Sequence, residues 1–212
     1  PGAELVDVGD GETWTSAELG RAIGDAPGRV MVATFASLIS RIQQVVDAAV
    51  RSQRKVGIVG RSMVDNIKMA AEMGYLNLPP GILIPISEMR KLPPQNVVLL
   101  TTGSQGEPTS ALVRMANKDH RDVQIMEGDT VVISASPIPG NELLVDRTID
   151  NLLRQGAKVL YSRIALVHVH GHAAQEELKA MISLIKPKLF VPIHGEYRHM
   201  ALHANLARAM GI

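Results

Sequence analysis

Five short runs rich in valine, isoleucine and leucine, separated by longer stretches, most of them amphipathic, set the strongest limit on what this chain can become. They are RVMVATF (Arg29–Phe35), KVGIVG (Lys55–Gly60), NVVLLTT (Asn96–Thr102), DTVVISAS (Asp129–Ser136) and AKVLYS (Ala157–Ser162). The runs do not alternate apolar with polar, the pattern of strands covered on both faces. Between them, SLISRIQQVVDAAVRSQ brings Leu38, Ile42, Val45, Val46 and Ala49 onto one helical face, and ELLVDRTIDNLLRQG is a second amphipathic helix stopped by Gly156. Strands alternating with helices of this length need crossover connections. The sequence therefore predicts an α/β fold with a mostly parallel, Rossmann-like sheet flanked by helices. Its strands are placed at Val30–Ala33, Val56–Val59, Val97–Leu100, Val131–Ser134 and Val159–Tyr161.

Smaller signals fill in the rest. Thr15 and Glu18 in TSAE suit a capping box, Ser62 suits the cap of MVDNIKMAAEMG, and Pro108 suits the first turn of a helix running to about Asn117. IALVHVHGHA and PKLFVPIHGE read as further strands and their ends, AQEELKAMISLI and YRHMALHANLARAM as helices. The Leu189–His194 strand is expected to lie outside the main sheet.

Composition narrows the function classes. The chain has 212 residues, enough for one sizeable core or one domain and part of another. With 22 basic and 21 acidic side chains it has no broad field to draw in a polyanion, so any such site is local. It has no cysteine, which excludes disulfides and thiolate metal sites. Aromatic residues are 3% of the chain, so the core falls to aliphatic residues, with ten methionines to fill gaps. No stretch approaches the roughly 20 apolar residues that span a bilayer, and no signal peptide is visible; a cytoplasmic location is expected. The chain opens on Pro1 rather than Met, as expected of a processed or excised piece.

In α/β sheets ligands sit beyond the carboxyl ends of strands, and the unusual residues of this chain gather there. In TTGSQGEP, Gly103, Ser104, Gln105 and Gly106 can turn backbone amides and a hydroxyl toward an anion at a helix start, or make only a tight connection. The loop lacks the GK[ST] ending of a nucleotide-binding P-loop, and Glu107 suits a cap or an arginine partner as well. In SASPIPGNE, Ser134 and Ser136 stand before a turn stiffened by Pro137 and Pro139; the plain alternative is a connection in which Asn141 caps the next helix. Ser37 with Arg41, and Arg61 with Ser62, occupy two more strand ends. His168, His170 and His172 alternate, but Gly171 interrupts them; His194 ends a strand before Gly195. His199 and His203 share a helical face without an acidic partner and are expected to serve in packing or at the surface. Asp7 and Asp10 do not complete a metal site.

Together ATFASLISRIQQ, TTGSQGEP, GDTVVISASPIPGNE, VHVHGHAAQEELKAMI and PIHGEYRH, in this order from about Gly28 to Ile212, resemble the ribonuclease J group of the metallo-β-lactamase superfamily, in its β-CASP branch. The resemblance implies three parts. Residues 1–27 would be a linker or remnant of the metallo-β-lactamase core, 28–163 a β-CASP domain, and 164–212 a returning segment of that αββα core. It further implies a zinc-dependent ribonuclease with endonuclease and 5′-to-3′ exonuclease activity. Its partner would be single-stranded RNA, with a 5′-monophosphate. His172 would serve in catalysis and at the phosphate, and His194 would be a ligand to one of two zinc ions. Gly103, Ser104, Gln105, Gly106, Ser134 and Ser136 would hold RNA, with Ser37, Arg41, Arg61 and Ser62 further along its path. The HxHxDH cluster of the family is absent from this chain, as is its bridging aspartate. The chain alone is therefore expected to be inactive with incomplete zinc, needing the rest of the core and forming homo-oligomers in the parent enzyme. The alternative is a non-catalytic RNA-binding or structural module. A sugar-phosphate or nucleotide enzyme is a third reading that no cofactor fingerprint supports.

Overall fold

The computed structural model describes residues 11–161, 173–193 and 195–212. The chain divides into two compact units, the larger spanning Glu12–Val169 and the smaller holding the described residues from Ala173 onward. In chain order the larger contains α1 (Gly11–Gly24, its first residue at the boundary), β1 (Val30–Ala33), α2 (Ile39–Arg51), β2 (Lys55–Val59), α3 (Arg61–Glu72), α4 (Ile86–Met89), β3 (Val97–Thr101), α5 (Ala111–Ala116), β4 (Thr130–Ile133), α6 (Glu142–Arg154) and β5 (Lys158–Tyr161). The smaller contains α7 (Gln175–Ile185) and α8 (Tyr197–Ala209).

The five strands form one sheet in the order β2-β3-β1-β4-β5, and every pairing is parallel. β1 is central: Ala33 pairs with Thr101 of β3 on one side and Ile133 of β4 on the other. Each strand of the central three is buried along its whole length, which is why none shows an alternating pattern. Successive side chains point to opposite faces and build two separate cores. Val30, Val32, Val56, Val98, Leu100 and Val132 pack with Leu19, Ile42, Val45, Val46, Met63 and Ile67 of α1, α2 and α3. Met31, Ala33, Leu99, Val131 and Ile133 pack with Met89, Leu112, Met115, Ile149 and Leu152 of α4, α5 and α6. Each fully buried aliphatic side chain is worth about 2 kcal/mol. Neither core has a buried aromatic residue among the described residues; the half-buried Tyr161 of β5 packs against the second.

Several boundaries differ from the sequence reading. α1 starts at Gly11, so Thr15 lies inside it. α3 starts at Arg61 on Gly60, so Ser62 sits in the first turn and caps nothing. Pro108 does not open α5; Glu107–Ser110 closes a turn of its own, Ser110 N–H to Glu107 C=O at 2.9 Å, and the helix waits for Ala111. Leu189–His194 is read from sequence as a strand outside the main sheet; residues 189–193 take no part in that sheet, and they carry no strand pairing among the described residues. The outer edge of β2 is covered by residues 82–84, through Val56 N–H to Ile82 C=O and Ile84 N–H to Val56 C=O.

Candidate functional site

The site is a consequence of where the connections leave the sheet. After β1 the chain turns to the face carrying α2. After β3 and β4, the strands on either side, it turns to the opposite face, carrying α5 and α6. Neighbouring strands whose chains part in opposite directions leave a crevice at their carboxyl ends, the usual ligand position in such sheets. Here that crevice lies at the end of β1. The ladder continues one step into it: Thr34 N–H donates to Thr101 C=O at 3.2 Å, and Ser134 N–H to Ala33 C=O at 2.9 Å.

The loop after β3 is a chain of tight turns. Gly106 N–H bonds Gly103 C=O, Gln105 N–H bonds the Glu107 carboxylate at 3.3 Å, and Leu112 N–H returns to Thr102 C=O at 3.1 Å. The amides of Gly103 and Ser104 are not used in these turns. Gly103 (φ +108) and Gly106 (φ +72) lie in the left-handed region. A Cβ on Gly103 would press on Ser110 and come within 2.9 Å of the Leu112 Cβ; one on Gly106 would come within 2.7 Å of the Leu144 backbone. Both glycines are thus required by packing inside the protein, whatever binds outside.

Across β1, this loop reaches the one after β4. Gln105 Nε2 donates to Ser136 C=O at 2.9 Å, and Ile138 N–H donates to Gln105 Oε1 at 2.7 Å. Two segments about thirty residues apart in sequence are thereby joined, although β3 and β4 are not neighbours.

The residues singled out from sequence divide by exposure. Ser104 and Gln105 are 2% exposed and Ser134 is fully enclosed, whereas Ser136 is half-buried and Ser37, Arg61 and Ser62 are exposed. Arg41 is buried in the first turn of α2. Arg61 and Ser62 follow Gly60, whose Cα hydrogen position faces the Thr102 hydroxyl, so the end of β2 adjoins the β3 loop. His168, His170, His172, His194, Asp7 and Asp10 lie outside the described residues. Two candidates escaped the sequence reading: Thr34 Oγ1 and Ser110 Oγ are buried and hydrogen-bond no group among the described residues. Thr34 follows VMVA directly, and a strand-end hydroxyl was the available signal.

Elsewhere, His199 Nδ1 accepts from Glu196 N–H at 3.1 Å, capping the start of α8, and His203 packs edge-on to Phe190. Among the described residues no three His, Asp or Glu side chains are grouped to hold a metal ion. An open groove of about 450 Å³ along α6, lined by Leu143, Asp146, Arg147, Asp150, Asn151 and Arg154, mixes both charges and lies on the helix rather than at the strand ends. No described helix is long and apolar enough to cross a membrane.

Residues 27–152 match the family model described as the ribonuclease J β-CASP domain. The chain belongs to the ribonuclease J family. Residues 156–212 match a second model, the RNA specificity domain of zinc-dependent metallo-hydrolases. The chain is 45% identical to a ribonuclease J of Synechocystis over 210 residues, 99% of the chain and 33% of that protein. It is 44% identical to ribonuclease J2 of Bacillus subtilis over 95% of the chain and 36% of the relative, and 47% identical to a Helicobacter pylori ribonuclease J over 89% and 27%. The chain thus spans about a third of the length of these ribonuclease J relatives.

Proposed function

We propose that this chain is the RNA-holding part of a zinc-dependent ribonuclease J that hydrolyses RNA phosphodiester bonds as an endonuclease and 5′-to-3′ exonuclease. The observation that carries the reading is the pair of turn-rich loops joined over the end of β1, at the place where the chain departs to opposite faces of the sheet. Amides and hydroxyls gathered at strand ends and helix starts suit the phosphates of an RNA backbone or its 5′-monophosphate. In this reading Gly103, Ser104, Gln105, Gly106, Ser134 and Ser136 build the phosphate cradle, and Ser37, Arg41, Arg61 and Ser62 extend the RNA path. Because Ser104 is enclosed, it acts through its backbone amide; the enclosed Ser134, whose N–H is held by Ala33 C=O, shapes the loop, and Ser136 meets RNA first.

The described residues do not fit a zinc centre, and no hydrolytic step is assigned to them. The two zinc ions belong to the longer protein. His194 would supply one imidazole ligand and His172 would stabilise charge at the scissile phosphate. Residues 28–163 would be the β-CASP domain and 164–212 the returning part of the nuclease core. The exposed Leu189, Val191 and Ile193, at 86%, 78% and 82%, suit a strand that completes its pairing in that core.

The test uses one preparation of the chain. It is expected to bind single-stranded RNA with a 5′-monophosphate more tightly than the same RNA with a 5′-hydroxyl, with affinity falling as salt rises, and to show no turnover with added Zn²⁺ or Mn²⁺. Metal-dependent cleavage proportional to chain concentration would overturn the assignment of an incomplete centre. In the longer protein, His194→Ala should lose zinc, while His172→Ala should lose turnover and retain it; equal zinc loss would remove the division of roles. A second reading is a non-catalytic RNA-binding or structural module. Zinc content and turnover of the longer protein separate the two.

A further inference from the structure

We infer that Gln105 is a positioning residue that sets the 5′-phosphate selectivity of the crevice by locking the two loops together, without touching RNA itself. The inference rests on the RNA-holding role proposed above and deepens it. The Gln105 carboxamide donates to Ser136 C=O and accepts from Ile138 N–H, the two backbone groups flanking Pro137. Pro137 has no N–H of its own. The side chain therefore plays the part of a parallel strand beside this residue, at a point where no strand is available.

Three facts favour positioning over direct contact. Gln105 is 2% exposed, so a ligand at the surface does not reach its side chain. Its donor and acceptor are both engaged at short range, and in a buried place leaving either unmet is costly. Its partner segment carries Ser136, the half-buried hydroxyl at the crevice, and is otherwise stiffened by Pro137 and Pro139 on either side of Ile138. The loop is thus rigid within itself and anchored to the neighbouring loop through the Gln105 side chain. The backbone of Gln105 lies in the Gly103–Glu107 turns, its N–H held by the Glu107 carboxylate. One residue therefore fixes the spacing between the Gly103–Ser104 amides and Ser136, the groups that would have to close around one phosphate.

The experiment compares the unaltered chain with Gln105→Met, which keeps length without the hydrogen bonds, and Gln105→Glu, which keeps the acceptor for Ile138 but sets a second acceptor against Ser136 C=O. Amide exchange at Ile138 reads the clamp, and exchange at Val98 and Val131 reads the sheet. Affinities for one RNA with a 5′-phosphate and with a 5′-hydroxyl give a ratio. That ratio is the decisive readout, because a partly unfolded preparation weakens both affinities equally and leaves it unchanged. Gln105→Met is expected to speed Ile138 exchange, and both variants are expected to lower the ratio by about tenfold, the scale of one or two lost buried hydrogen bonds, with sheet exchange unaltered. Faster Ile138 exchange with an unchanged ratio would overturn the positioning role while the RNA reading stood. Absence of any 5′-phosphate preference in the unaltered chain would overturn the reading of the site and this role with it; Ile138 exchange would then still report whether the clamp exists. Should Gln105→Met fail to fold, Gln105→Glu alone decides.

Discussion

At Gly106 the left-handed backbone and the Leu144 main chain leave no room for a side chain, and at Gly103 Ser110 and Leu112 do the same. Gly106→Ala should therefore cost about 2–4 kcal/mol, combining left-handed strain with overpacking against backbone that cannot move aside. Urea unfolding checks it; a loss under 1 kcal/mol would mean that α6 gives way. Loss of RNA affinity in a Gly103 variant would then report a displaced loop before it reported a missing phosphate contact. His120 offers a second test. Its Nδ1 accepts from the Asp122 and Val123 amides at 3.2 and 3.1 Å. Burial, and then the nearby Arg114, lower its pKa from the ordinary histidine value. A depressed folded-state value means that its contribution is fully present above the unfolded value near 6.5 and is lost as pH falls through the lower folded value. His120→Asn, whose Oδ1 can stand in for Nδ1, should flatten the decline in the urea midpoint between pH 7.5 and 5. An unchanged slope would assign that decline to other groups.

Among the elements, the starts of β1 and β4 are tied by one ion pair. Arg29 reaches both oxygens of Asp129, at 2.9 and 2.5 Å, and Gln124 C=O, while Asp129 also accepts from Met126 N–H. With Asp129 2% exposed, Asp129→Ala strands a largely buried guanidinium and should lower stability by about 3 kcal/mol; thermal unfolding checks it, and Arg29→Met with Asp129→Leu should recover much of the loss. The strands were legible because parallel strands buried on both faces are written as uninterrupted aliphatic runs, and VMVA, VVLL and TVVI are such runs. The helix starts were less so. Ser62 and Pro108 are residues that favour first turns, yet Gly60 and the Glu107–Ser110 turn decided the boundaries through contacts specific to the fold. The site was legible as a set of strand ends, since glycines, serines and prolines cluster there. Its wiring was not: nothing local to Gln105 indicates Ser136, just as nothing local to Arg29 indicates Asp129, because such pairings depend on the order of strands in the sheet.

Across the whole molecule, the two units differ in how far they bury their apolar side chains. The larger closes two aliphatic cores around its sheet. In the smaller, Met181, Leu184 and Ile185 of α7 and Leu202 of α8 are more than half exposed, and Leu189, Val191 and Ile193 present one side of an extended segment to solvent. In the proposed reading residues 189–193 form a strand, on which these three share one apolar side; among the described residues they carry no strand pairing, the kind of surface that associates with another strand. Within the proposed reading, the longer ribonuclease supplies that strand. Replacing Val191 with Lys should then act oppositely in two settings. In this chain it should reduce self-association and leave the unfolding of the larger unit unchanged, because no core residue of that unit is touched. In the longer protein it should place an ammonium inside a paired and covered strand, costing several kcal/mol and lowering zinc retention at His194, three residues on. Light scattering of the chain and zinc content of the longer protein read the two effects. Unchanged zinc content with Val191→Lys would show that residues 189–193 stay at the surface of the complete enzyme, and the assignment of 164–212 to its core would fall.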